Sequence, residues 1–335
     1  MKFRACAILI GGIMLAAATV PAAGQNVIYG QLRLTVNSIK TGAAGESTEI
    51  TDNASRLGFR GTEDLGDGLA AFYGIEMGFA ADTGAAGAPL YRNSYTGLRG
   101  DWGALALGRL DSANPTGSPL YSQVTAITSF APNDAGATAI GTTILNARNR
   151  TSNAIGYISP NVSGFNVRAR YYLRGAVATP DTEDGSKSLD LGLNYASGPL
   201  TAGVGFGKDK RPAGLLANEF SNKWQAGVRY DFGAIEPYVL AGRDTYKNTA
   251  TTRHDVNYWI VGAKYSQGAH AVVLNLLQRD VQASPSGTRK RQQLAYTYAL
   301  SKRTELQAFI DRDGVDSSKS NVAIRAIGAG IRHDF

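Results

Sequence analysis

The feature that most constrains this chain is its alternation. From residue 27 to the end, segments of about ten residues keep a period of two, with turn residues between them. In the stretch Val27-Ile28-Tyr29-Gly30-Gln31-Leu32-Arg33-Leu34-Thr35-Val36, Ile28, Leu32, Leu34 and Val36 fall on one side, and Tyr29, Gln31, Arg33 and Thr35 on the other. Successive strand side chains point to opposite faces, so each such segment has one apolar and one polar face. The pattern recurs at 27–36, 55–62, 69–79, 92–100, 104–108, 150–159, 165–173, 189–196, 200–207, 223–232, 235–242, 256–265, 269–278, 292–300, 304–311 and 322–335, sixteen candidate strands. No helical stretch of useful length and no domain boundary stand out.

Short turns alternate with longer polar connections at 40–52, 176–187, 209–221 and 280–290. An even strand number, short turns at one end and longer loops at the other describe an outer-membrane barrel. Strands of about 9–11 residues suit a tilted bilayer crossing. Aromatics at strand ends (Tyr230, Phe232, Tyr265, Phe335) are placed for an interfacial girdle. A soluble β-sandwich would also alternate, but its apolar face would meet a second sheet.

The N-terminus fits export. A basic start (Lys2, Arg4), an apolar run at 5–20 and the small residues Ala22-Ala23-Gly24 have the layout of a secretory signal peptide, with cleavage expected after Gly24. The mature chain, 25–335, then has no long apolar run. Its only cysteine, Cys6, goes with the leader, which removes disulfides, thiolate metal sites and a cysteine nucleophile from consideration. Loss of Lys2 and Arg4 lowers the formal charge from +7 to +5. For an exported protein, a basic balance points to anionic lipid or solutes rather than nucleic acid.

The rhythm fails once, between Leu110 and Asn149, in a nearly uncharged stretch rich in Ala, Thr, Ser, Gly, Asn and Pro. Loops longer than about 12–15 residues are usually functional or disordered. This one is expected either to hang free or to fold into the barrel and narrow it.

The chain resembles the general trimeric porins of Gram-negative bacteria, closest to those of beta-proteobacteria. The resemblance is carried by VIYG at 27–30, SRLGFRGTEDLG at 55–66, GLRGDWG at 97–103, LGR at 107–109, YISP at 157–160, LSKRTEL at 300–306 and GIRHDF at 330–335. It implies an all-β, 16-stranded antiparallel transmembrane barrel in the outer membrane, a homotrimer, and passive diffusion of small hydrophilic solutes. It also implies that residues 110–149, as the third external loop, constrict the pore. The terminal Phe335 is similar to the sorting signal that such barrels present to their assembly machinery.

Carried over by position, the basic wall of the eyelet falls on Arg56, Arg92 and Arg150. The family's first-strand basic position holds Gln31, and Arg33, two residues on, shares that face. Arg168 and Arg170 share a face opposite Val167 and Ala169. A lipid-facing arginine near the midplane costs about 2–4 kcal/mol, so these residues are expected to face the lumen. Opposing acids are few: Asp111 and Asp134 in the loop, and Glu76 on the third strand's polar parity. Excess arginine in a narrow aqueous gap favours anions. No cofactor or metal is expected. An outer-membrane enzyme is the rival from another class, but His254, His270 and His333 lack a nucleophile partner or metal-ligand spacing. A substrate-specific channel is the nearer alternative.

Overall fold

The computed structural model describes residues 25–42, 45–111, 118–128, 150–173, 185–212, 214–215, 219–247, 253–281, 287–317 and 321–335. The expected leader, 1–24, and Asp134 lie outside them.

The strands are β1 (Gln25–Thr41), β2 (Glu46–Asp52), β3 (Arg56–Gly66), β4 (Leu69–Phe79), β5 (Ala86–Gly100), β6 (Gly103–Leu110), β7 (Thr151–Ile158), β8 (Phe165–Tyr172) and β9 (Lys187–Ser197). They continue as β10 (Leu200–Lys210), β11 (Asn222–Tyr230), β12 (Ile235–Lys247), β13 (Arg253–Gln267), β14 (His270–Val281), β15 (Gly287–Ala299), β16 (Thr304–Ser317) and β17 (Asn321–Asp334). One helix, α1 (Pro119–Ile127), follows β6. Consecutive segments pair antiparallel, and β17 pairs with β1, so the sheet closes on itself. Both β2 and β3 pair with β1, its outer and inner halves respectively, and together form one wall strand. The seventeen segments thus make sixteen wall strands.

The break between β2 and β3 has a local cause. The Asp52 carboxylate accepts the backbone N–H of Ala54 at 2.9 Å and of Ser55 at 3.1 Å. Such a side-chain turn competes with ladder bonding. Ala54 takes a left-handed φ of 67°, and Asn53 N–H bonds the Arg33 carbonyl at 2.8 Å.

The wall is apolar outward and polar inward. Ile28, Leu32 and Val36 are 66%, 42% and 55% exposed, whereas Gln31, Arg33 and Thr35 are nearly inaccessible. A sandwich would reverse this. The expected girdle residues Tyr230, Phe232, Tyr265 and Phe335 are all exposed, and the Tyr230 and Phe232 rings lie 4.5 Å apart. At the seam, Gly30 and Phe335 exchange backbone hydrogen bonds of 2.9 and 3.1 Å. A Cβ on Gly30 would lie 2.2 Å from the Phe335 ring. Gly30 is therefore the seat of the terminal aromatic.

Three expectations need correcting. The polar connection expected at 40–52 is largely strand: β2 pairs with β1 from Leu34↔Asp52 to Lys40↔Glu46. Six of its seven residues are polar, Ile50 being the exception, so the apolar alternation gave little signal there. The helix α1 lies inside the segment that looked non-helical. His254, outside the candidate strand expected at 256–265, is in β13 and stacks on Tyr246 with ring centroids 5.0 Å apart.

Candidate functional site

Two carboxylates organise the inward face of β3–β7. Glu76 of β4 lies opposite Gly58 of β3 and Asn93 of β5. Its Oε1 is 2.6 Å from Arg92 Nε, and its Oε2 is 3.6 Å from Arg56 Nε. The Tyr29 hydroxyl donates to Oε2 at 3.1 Å. That reach depends on Gly58, where a Cβ would be 2.3 Å from the Tyr29 ring.

Arg92 owes its position to a β-bulge. Glu76 pairs with Asn93 but Met77 with Tyr91, so Arg92 is the extra residue. Bulges re-aim side chains. Here consecutive residues both serve inward carboxylates: Arg92 reaches Glu76, and Asn93 Nδ2 donates to Asp111 Oδ2 at 3.4 Å. Arg150, one residue before β7, has Nε 3.7 Å from the same Asp111 oxygen. Burial lowers the Arg150 pKa from its ordinary value and neighbouring Arg92 adds to this, while Asp111 and Glu76 oppose it. Arg56, Arg92 and Arg150 thus share Glu76 and Asp111, one positive charge in excess. Both acids sit among these arginines rather than across a gap from them.

The other basic candidates are placed differently. Arg33 is buried and donates from Nε to Gln307 Oε1 at 2.8 Å. Arg170 forms a buried ion pair with Asp190, which also accepts the Ser118 hydroxyl at 3.3 Å. Arg168 makes no ion pair among the described residues, and its Nε is buried without a hydrogen-bond partner. It lies between Ile158 of β7 and Gly192 of β9.

The helix α1 is seated on the inward face of β9–β14. Its first residue is Pro119, whose missing N–H costs nothing at a helix start. Leu120, Val124 and Ile127, at positions i, i+4 and i+7, present one apolar face. Val124 and Ile127 pack with Tyr238, Leu240, Tyr258, Ile260 and Leu277; Leu120 packs with Phe220, Tyr246 and Val256. Burying such side chains stabilises by roughly 1.5–3 kcal/mol each.

Beneath the helix, β10 offers a lane of glycines. A Cβ on Gly205 or Gly207 would lie 2.8 Å from Leu120, and one on Gly192 would lie 2.6 Å from Pro119. Gln123 closes the contact: its Nε2 donates to Asn194 Oδ1 at 2.9 Å and to the Val204 carbonyl at 2.8 Å. Gln225 Nε2 donates to Gln123 Oε1 at 3.0 Å and to the Leu120 carbonyl at 2.7 Å. None of these seat residues was singled out from sequence. The signal was there, in Gly203, Gly205 and Gly207 recurring at period two on the face opposite Val204 and Phe206.

The opposite arc of wall carries paired charge: Lys223 with Asp244 at 2.7 Å and Arg291 with Asp311 at 2.6 Å, all four side chains inaccessible. No group of three His, Asp or Glu side chains suited to a metal lies among the described residues. His270 Nδ1 and Tyr296 Oη are 2.8 Å apart, and His333 Nδ1 and Thr304 Oγ1 2.9 Å.

A Gram-negative porin family model matches residues 11–318. Outer membrane porin protein 32 of Delftia acidovorans is 29% identical, over 98% of this chain and 99% of its own length. An outer membrane porin protein of Bordetella pertussis is 26% identical over 84% of this chain and 83% of its own. Among solved structures, an anion-selective porin from Comamonas acidovorans is similar with a TM-score of 0.75 at 22% identity, covering 93% of this chain and all of that one. OmpT of Vibrio cholerae in its trimer form is similar with a TM-score of 0.70 at 16% identity, covering 93% and all of its chain. A closed barrel with an apolar exterior and a charged interior, matched from end to end by porins, belongs to the Gram-negative porin family: an outer-membrane channel for small solutes and ions, not an enzyme.

Proposed function

We propose that this porin prefers anions and that residues 110–149 narrow its lumen. The observation that carries the charge preference is the sharing of Glu76 and Asp111 by Arg56, Arg92 and Arg150, which leaves net positive charge on one inward arc. Arg33, Arg168 and Arg170 extend that basic wall, and Asp134 is the remaining acid assigned to the loop. A cleft lined by one sign of charge concentrates counter-ions. The narrowing rests on α1, whose apolar face is fixed against the inward side of β9–β14. The Comamonas neighbour is described as anion-selective, which agrees with this reading.

We further assign a homotrimeric assembly, in line with the trimeric OmpT neighbour, and a role for Phe335 in presenting the chain to the assembly machinery. The test is a reversal potential across a planar bilayer under a potassium chloride gradient. An anion-selective sign is expected. A cation-selective sign would overturn the charge assignment and leave the fold untouched.

A further inference from the structure

Arg168 differs from every other basic candidate in this wall. Arg56 and Arg92 share Glu76, Arg150 faces Asp111, Arg170 holds Asp190, and Arg33 donates to Gln307. Arg168 has no carboxylate and no hydrogen-bond acceptor among the described residues, and only its Nε is shut away from solvent. The two terminal nitrogens therefore keep their N–H donors for a solute. They form a planar fork, matched to a pair of oxygens in one plane rather than to a sphere.

Its setting supports the same use. Arg168 stands directly across from Gly192, which the start of α1 covers through Pro119. Two residues away on the same inward face of β8 is Asn166. A relay of amides ends there: Gln123 donates to Asn194 Oδ1, and Asn194 Nδ2 donates to Asn166 Oδ1 at 3.0 Å. The relay uses the Asn166 oxygen as an acceptor and leaves its Nδ2 group as a donor. A guanidinium fork and an amide donor thus share one face beside the helix, with no acceptor for either among the described residues.

We infer that Arg168, assisted by Asn166, is a transient binding position for planar oxyanions such as small carboxylates. It makes the pore discriminate among anions, not only between anions and cations. The inference rests on the anion-preferring reading above and adds a preference by shape.

The experiment measures two quantities on the refolded full-length protein in planar bilayers. One is the reversal potential in a potassium chloride gradient. The other is the acetate-to-chloride permeability ratio under bi-ionic conditions. Arg168→Lys keeps the charge and loses the fork. It is expected to keep the sign of the chloride-gradient potential anion-selective and to lower the acetate ratio roughly threefold, the loss of part of a charge-assisted pair in a wet site. Arg168→Gln is expected to lower both.

An acetate ratio unchanged in both variants overturns the inference. So does a ratio that falls in Arg168→Gln but not in Arg168→Lys, because charge alone would then suffice. A cation-selective wild type would defeat the parent reading, and the acetate ratio of the variants would still report on Arg168.

Discussion

Glu76 shows how single residues set the character of this pore. It is 5% exposed and faces two guanidinium groups and a phenol, so its charge is held where water cannot fully solvate it. Replacing it by Gln removes the one carboxylate between Arg56 and Arg92. Two consequences are expected for Glu76→Gln. The reversal potential should move toward stronger anion preference, because the local excess of positive charge grows by one. The thermal midpoint in detergent should fall, since removing a charged hydrogen-bond partner costs about 1–3 kcal/mol. Tyr29→Phe, which deletes only the phenol's donor, should cost about 1 kcal/mol and leave selectivity alone. A selectivity shift in Tyr29→Phe as large as that in Glu76→Gln would mean that position, not charge, governs this arc. The porin resemblance singled out Arg56, Arg92 and Arg150 in the sequence, and the structure sets all three beside Glu76 and Asp111. Their partners were less legible. A β-bulge at Arg92 breaks the parity rule, and nothing in the local residue types announces that Arg92 and Asn93 both serve inward carboxylates.

At the scale of elements, the helix and its seat depend on each other. Nine residues are too few to be a stable helix alone, so α1 takes its stability from packing. The lane of Gly203, Gly205 and Gly207 lets it approach the wall, and Gln123 with Gln225 fixes its height along the strands. Gly205→Leu places a side chain where Leu120 now lies. The expected result is an intact barrel, by heat-modifiable migration and β-type circular dichroism, with altered single-channel conductance and greater open-channel noise. Gln123→Ala should give a milder form of the same change. Conductance and noise identical to wild type in both variants would separate α1 from the permeation path. Here the sequence was partly legible. The failure of alternation between Leu110 and Asn149 located the special segment, but helical periodicity over nine residues is a weak signal. The seat lies in distant strands, so only the fold brings Leu120 to Gly205 and Phe220. The same limit hid β2, a mostly polar segment whose partner is the second half of β1.

The whole molecule is organised by the exchange of inside and outside. Leucines, valines and aromatics are exposed around the wall, while arginines, aspartates and amides are buried within it. In water this arrangement would be unstable; in a bilayer the exterior meets lipid, and among the described residues every wall strand has a neighbour on both edges with which to pair its backbone. The alternation alone could not decide this, because a sandwich and a barrel share it. The length of the strands, their even number and the terminal Phe335 pointed to the barrel. Val204 of β10 gives a direct check, since it is 53% exposed and its neighbours Gly203 and Gly205 face the opposite way, toward α1. Val204→Arg would put a guanidinium into lipid at a cost of about 2–4 kcal/mol if the site is near the midplane. Refolding into phospholipid vesicles, followed by urea titration, should show that loss. The control is Leu200→Arg, on the same outward face at the start of β10 beside the short turn after β9, where an arginine can snorkel and the cost should be about 0–1 kcal/mol. Equal stabilities for the two variants would mean that this face of β10 is covered by protein rather than lipid, and would place Val204 in a contact between barrels.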